Sequence, residues 1–321
     1  MAGTRMRAVV LERFGPPEVL ALAEVERPRP RCGEVLVRVE AAAANPVDAK
    51  IRAAGSWAGI PLPAVLGYDA SGVVEEVGDG VTSLKPGDEV WLTPEIFGNR
   101  HGTYAEYVVA SERIVAPKPV NLDHVEAAAV PLAGGTAWEA LVRRLRLRAG
   151  ETVLIHGGAG GVGSFAVQFA KALGARVLAT ASARNLETLR ELGADVALDY
   201  TRDDVYEAAR SENGGAGVDA VLDLVGGEIV ARSAEATRPF GRLATILGPT
   251  GDLTALYTRN QTLFGVFLTR ERERLDEMRP LFERGQVRPL VDEVRSLDEI
   301  VEVHRRLDSG HGRGKVVLRP S

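Results

Sequence analysis

VLIHGGAGGVG, residues 153–163, starts as a short apolar run and ends in a cluster of five glycines. Gly158, Gly160 and Gly163 fit G-x-G-x-x-G. That pattern is weak alone, but here it follows a predicted strand and opens a predicted helix over 162–173. Val162, Ala166, Phe169, Ala170 and Leu173 share one broad apolar face of that helix. In this setting the early glycines let backbone approach a pyrophosphate, and Gly163 lets the helix pack closely on the strand. The helix N-terminus, Gly161 and Val162 included, turns its free N–H groups and positive dipole end toward phosphate.

The flanks extend the reading. ARVLATA reads as the next strand and LETLRELGA as the next helix, and DVALDY, VDAVLDLVGG and GRLATILG continue as strands with helical segments between, the pattern of a parallel sheet covered on both faces. An NAD site usually carries an acid about 20 residues after the first glycine. Here residues 178–185 read LATASARN, and the first acid is Glu187, already in the next predicted helix. Thr180, Ser182 and Arg184 offer two hydroxyls and a guanidinium, which suit a 2′-phosphate and predict NADPH over NADH. The other reading of Arg184 is an ordinary surface arginine. Before residue 125, short β-type runs alternate with Gly/Pro turns such as VGDG and LKPGDE, which predicts an all-β unit. The last 50 residues hold predicted helices over 272–284 and 298–308, a β-like VRPLVDEV and a final strand KVVLRP, placed to return to the first unit.

Composition excludes several classes. The 321 residues carry a net charge of -5 and one cysteine, Cys32. An intramolecular disulfide and a multi-cysteine metal cluster are therefore excluded, and no basic footprint for nucleic acid appears. The five histidines show no zinc-ligand spacing, and no apolar run is long enough for a membrane span. A cytoplasmic location is the default expectation.

Beyond these patterns, the chain resembles the medium-chain dehydrogenase/reductases. The likeness is carried by NPVD (45–48), LGYDASGVV (66–74), LKPGDEV (84–90), GTYAEYVV (102–109), EAAAVPLAGGTAWEAL (126–141), VLIHGGAGGVG (153–163) and GRGKVVL (312–318). The resemblance implies an α/β fold: a GroES-like β-barrel catalytic domain (1–126 and 265–321) plus a Rossmann doubly wound parallel sheet (127–264). It also implies a catalytic cleft between them. At the positions where zinc alcohol dehydrogenases of that family hold metal, this sequence has Asn45, Tyr68 and Leu132. An amide, a phenol and an isobutyl group are poor zinc ligands, so the resemblance is to the zinc-independent quinone oxidoreductases and enone reductases. An electron-poor alkene or quinone accepts hydride without a metal to hold an alkoxide.

The resemblance also supplies site candidates. Lys50 reads as a cation for the developing anion, or as a surface lysine beside Asp48. Asn45 reads as an amide donor to the substrate oxygen, or as a turn residue before Pro46. Tyr68 reads as a pocket or proton-passing phenol, or as a half-buried strand tyrosine. Asp48 reads chiefly as structural, and Tyr104 as a weaker pocket candidate. Near the cofactor the resemblance puts Thr136, Tyr200, Gly248, and Phe267 and Thr269 of an expected strand GVFLT (265–269). Lys315 reads as a cofactor contact or a last-strand lysine, and Thr136 alternatively as a helix cap. The expected activity is NADPH-dependent reduction of a small quinone or enone, by a homodimer, without nucleic-acid or membrane partners. Reduction of an enoyl thioester and cofactor binding without catalysis are the rival readings.

Overall fold

The computed structural model describes residues 4–310 and 312–320. Its chain divides into two compact units. The first runs up to Leu132 and takes in Thr269–Arg284 and the chain from Pro289 onward. The second is Ala133–Leu268 with Gly285–Arg288.

The first unit opens with strands β1 (Arg5–Leu11), β2 (Leu20–Glu26), β3 (Glu34–Ala44), β4 (Ala64–Val65), β5 (Ala70–Val77), β6 (Glu89–Leu92), β7 (Tyr107–Ser111) and β8 (Val115–Pro117). β2, β1 and β4 form a small sheet. β3 pairs antiparallel with β5 and β7, and its register against β5 shifts at Leu36/Val37 and Val39/Ala41. Such bulges bend a long strand and let the sheet curl over a core. That core includes Val9, Val35, Leu66, Val90 and Leu318.

The all-β expectation missed one element. Helix α1 (Pro46–Ala54) follows directly on β3. Pro46 sits in its first turn, where the missing N–H costs nothing, and Ala49, Ala53 and Ala54 favour the helix. Asp48, at the third position, accepts the backbone N–H of Asn45 at 2.8 Å. Helices α2 (His124–Ala128) and α3 (Pro131–Trp138) follow, and the boundary between units falls within α3, after Leu132.

The second unit is built on β9 (Thr152–His156), β10 (Arg176–Ala181), β11 (Val196–Asp199), β12 (Val218–Asp223), β13 (Thr237–Thr245) and β14 (Thr262–Gly265). All pair parallel, in the order β11-β10-β9-β12-β13-β14. The chain starts in the middle, winds out one way, then returns and winds out the other. Ligands of such sheets bind outside the strand carboxyl ends, at the point where the winding reverses. Here that point lies between β9 and β12. Helix α4 (Gly161–Ala172) joins β9 to β10.

One strand assignment needs correction. GVFLT (265–269) is not a strand: β14 ends at Gly265, and 266–270 carries no strand pairing. Val266 still donates to Thr245 O at 2.9 Å, but the segment then leaves the sheet. The apolar run 263–268 gave no sign of where pairing stops.

The chain then supplies helix Arg272–Glu283, β15 (Val291–Ser296), helix Ile300–Asp308 and β16 (Lys315–Arg319) to the first unit. Its larger sheet runs β15-β16-β3-β5-β6-β8, with β7 also on β3. Among the described residues no helix is long and apolar enough to cross a membrane.

Candidate active site and cofactor cradle

In the second unit β9 is wholly buried and delivers its chain to the switch point. Gly157 has φ +75, a conformation that glycine adopts without strain. Thr180 of β10 clamps the turn from below. Its carbonyl accepts from Gly158 N at 2.9 Å and its hydroxyl oxygen from Gly157 N at 3.1 Å. Thr180 is therefore a buried brace for the turn. Gly160 caps α4 with extended backbone, and a Cβ there would come no nearer than 3.5 Å to Gly157 O. Gly163 is different: its Cβ would sit 2.2 Å from Gly157 O and 2.7 Å from Gly158 Cα. The helix thus lies on the turn with no room for a methyl group, while the Gly160 side of the loop is open. The first N–H groups of α4, on Gly161, Val162 and Gly163, have no carbonyl behind them within the helix. This cradle fits a pyrophosphate.

Past β10, Ser182 is half-buried at the cap of a short turn, and Arg184 is exposed. Arg184 makes no hydrogen bond or ion pair among the described residues. Tyr200, just after β11, is 59% exposed. Gly248 is exposed with open space around it, Phe267 is half exposed, and Thr136 is buried within α3, so it is not a helix cap. Thr269 belongs to the first unit, where its carbonyl and hydroxyl oxygens accept from Arg274. His156 ends β9 packed inside, with Nε2 at 2.9 Å from Ser233 Oγ, and burial pushes its pKa down to about 4. Asp223 was missed by sequence reasoning. At the end of β12 it accepts N–H groups of Val225 and Gly226, both at 2.9 Å, and the Thr245 hydroxyl at 2.8 Å.

In the first unit a buried polar cluster gathers residues far apart in sequence. Lys315 of β16 is 3% exposed and donates Nζ–H to Asn45 Oδ1 and, at 3.1 Å, to Asp69 Oδ2. The Asn45 amide donates to Asp69 Oδ2 at 2.9 Å and to Ala43 O at 3.2 Å. Asp69 Oδ1 accepts from Leu132 N at 2.6 Å. Asp48 Oδ2 accepts from Asn45 N and from the Tyr104 hydroxyl. Burial pushes Asp48 up to about 7 against the pull of those hydrogen bonds. Asp69 is raised by burial too, with Lys315 the main opposing influence. Both phenols are raised, first by burial and then by the charge of Asp48, while Arg270 draws Tyr68 partly back.

This geometry sorts the candidates. Both amide hydrogens of Asn45 are used inside the protein, so Asn45 has none left for a substrate oxygen. Tyr68 is fully buried in the loop before β5, not half-buried on a strand, and its hydroxyl has no hydrogen-bond partner among the described residues. Asp48 Oδ1 is likewise unmatched. Lys50 lies exposed on α1, outside the cluster, and the buried cation is Lys315. Asp69 and Arg270 were not foreseen. An acid set among apolar residues in LGYDASGVV was the available signal for Asp69.

The cluster does not fit a zinc ion. Among the described residues no three His, Cys, Asp or Glu side chains are placed to hold a metal. The Asn45 oxygen is taken by an ammonium, and Tyr68 is held in its protonated form.

An order 3-2-1-4-5-6 parallel sheet with a glycine cradle at its switch point, in a chain that also carries a β unit with a buried polar site, defines a dinucleotide-dependent oxidoreductase. Residues 31–120 match the alcohol dehydrogenase GroES-like domain family, and 192–318 the zinc-binding dehydrogenase family. The chain is 35% identical to the NADPH-dependent alkenal/one oxidoreductase, chloroplastic, of Arabidopsis thaliana, over 98% of this chain and 80% of that one. Among solved structures it is similar to an NAD-dependent alcohol dehydrogenase (TM-score 0.91, 36% identity, 98% of this chain and 100% of that one). It is also similar to the quinone oxidoreductase of Coxiella burnetii (TM-score 0.89, 34% identity, 99% and 100%). The chain belongs to the medium-chain dehydrogenase/reductase superfamily, in its zinc-independent branch.

Proposed function

We propose that this oxidoreductase uses NADPH to reduce quinones or α,β-unsaturated carbonyls, without a metal. The observation that carries this reading is the packing of the buried cluster. Lys315, Asn45 and Asp69 satisfy one another where alcohol-oxidising relatives hold zinc, and the Tyr68 hydroxyl is left as an unmatched buried donor. A lone phenol donor suits a carbonyl oxygen that gains negative charge, and is a poor base for an alcohol.

When bound, the reduced nicotinamide supplies hydride; the residues here bind and orient. Gly158, Gly160, Gly161, Val162 and Gly163 hold the pyrophosphate, and Thr180 keeps their turn in shape. Ser182, Arg184 and Tyr200 take the 2′-phosphate, with the guanidinium of Arg184, unpaired among the described residues, as main contact. Thr136, Gly248, Phe267 and Thr269 border the nicotinamide end. Tyr68 donates to the acceptor oxygen, Asp48 and Asn45 fix the surrounding backbone, and Lys50 adds positive charge from α1. β14, at the sheet edge, offers unpaired backbone for a homodimer. A cytosolic setting suits the single free thiol, Cys32.

The test is NADPH oxidation with 1,4-benzoquinone and with a short enone, repeated with NADH. Turnover with NADPH, an Arg184→Ala variant whose KM rises at least about tenfold for NADPH alone, and full activity after chelation support the reading. Lys50→Met is expected to lower kcat/KM about tenfold. A clear NADH preference, a need for zinc, or no turnover of either acceptor refutes it.

A further inference from the structure

A hollow lies in the first unit, on the small sheet β2-β1-β4. Its volume is about 550 Å³, within the range of small-ligand sites. Its floor is apolar: Met6, Val10, Val25, Pro63, Ala64 and Val65. Its rim is basic. The segment Arg27-Pro-Arg-Pro-Arg31 supplies one side, and Arg100 and His101 another.

These two segments are held firmly. Arg27 N donates to Thr4 O at 2.9 Å, and its guanidinium lies 4.0 Å over the Tyr107 ring while pairing with Glu76 at 2.8 Å. Arg27 is thus an anchor. Pro28 and Pro30 fix their own φ and restrict Arg27 and Arg29 before them, so Arg29 is displayed at low entropic cost. On the other side, Val65 N donates to Arg100 O at 3.0 Å, and His101 bridges Val65 of β4.

The remaining three guanidinium groups are unusual. Arg29, Arg31 and Arg100 are exposed and make no side-chain hydrogen bond or ion pair among the described residues, although most arginines of this acidic chain are paired. Two of these charges meet at one point: after burial, Arg100 and Arg31 are the chief influences that hold His101 below its usual pKa. Two carboxylates stand close. Glu26 lines the hollow, and Glu34 faces His101 with one oxygen already accepting from Arg31 N at 2.9 Å.

We propose that this hollow binds an organic oxyanion, a carboxylate or phosphate monoester carried on an aliphatic body. The oxyanion is gripped by Arg29, Arg31 and Arg100, and the body lies on the Met6–Val10–Val25–Val65 floor. Guanidinium groups match such oxygens in paired, directional hydrogen bonds, and the floor gives the tail an area to leave water. Neither role belongs to the glycine cradle or to the Tyr68 cluster.

Calorimetric titration of the whole chain with hexyl phosphate and hexanoate tests this, with inorganic phosphate and hexanol as controls. Submillimolar binding of at least one amphiphile, weakened at least about tenfold in Arg31→Ala/Arg100→Ala and unchanged in Arg184→Ala, is expected. All three arginines are exposed, so the variants keep the wild-type melting temperature. Hexyl phosphate bound with hexanoate excluded assigns phosphate as the headgroup, and the reverse assigns carboxylate. No binding of either, binding unaltered in the double variant, or inorganic phosphate bound as tightly as hexyl phosphate overturns the proposal.

Discussion

Gly160 and Gly163 are three residues apart in one motif, yet the structure gives them opposite reasons to be glycine. In Gly163→Ala the new methyl carbon would lie 2.2 Å from Gly157 O and 2.7 Å from Gly158 Cα. Both are backbone atoms, so nothing flexible can yield, and relief requires α4 to lift off the β9 turn. Overpacking of this kind costs about 3 kcal/mol or more, which lowers the melting temperature by roughly 10 °C in a domain of this size. In Gly160→Ala the nearest atom is 3.5 Å away and the backbone has φ -76, which alanine adopts freely. Loss of the glycine cap costs about 1 kcal/mol at most, partly offset by the stiffer unfolded chain. The free protein therefore tolerates it, and only a ligand pressed against the loop would not. NADP⁺ affinity is expected to fall at least about tenfold in Gly160→Ala. Thermal melting with and without NADP⁺, and a fluorescence titration, separate the two. A Gly163→Ala protein that melts within about 2 °C of wild type would show the packing argument to be wrong. A Gly160→Ala protein with undiminished affinity would remove that residue from the cradle.

Three further outcomes follow from the buried polar groups. Tyr68→Phe deletes a hydroxyl without a protein partner, so stability should stay level or rise by up to about 1 kcal/mol. Its kcat/KM for an enone should nonetheless fall about tenfold or more, measured alongside the melt. Lys315→Met strands the Asp69 carboxylate in the interior and should cost about 3–5 kcal/mol in denaturant unfolding, part of which Lys315→Met/Asp69→Asn recovers. His156 has a folded pKa of about 4, below the unfolded value of 6.5. The stability it contributes is present above pH 6.5 and is lost as pH falls toward 4, at about 1.4 kcal/mol per unit. Between pH 7 and 5, wild type should lose about 2 kcal/mol relative to His156→Asn. Asp48, raised to about 7, pulls the other way in both proteins and cancels in the difference.

The second unit was readable because local signals agreed there. Strand, glycine turn and helix each carried their own pattern, and helix α4 was expected over 162–173 and found at Gly161–Ala172. The first unit was harder. α1 hid in an alanine-rich continuation of β3 whose helical start depends on Asp48 reaching back to Asn45. The buried cluster was only half legible. Its members were quoted as separate motif residues, but pairing Lys315 with Asn45 and Asp69 depends on β16 lying against β3, and no spacing rule conveys that. The burial of Lys315 is likewise a property of tertiary packing, which no spacing in the sequence conveys. Thr180 shows the same limit: its type suited a phosphate, and its place on β10 turned the hydroxyl to the glycine turn.

The Lys315–Asn45 hydrogen bond spans 270 residues. A ribosome making this protein has already joined β1 through β15 before that lysine appears. The second unit is largely one continuous stretch, so it can collapse while synthesis continues. The first must keep its largest sheet unfinished, with Asp69 lacking its counter-charge, until β16 arrives. Chaperone dependence and truncation sensitivity should therefore concentrate in the half of the molecule that is begun first and completed last.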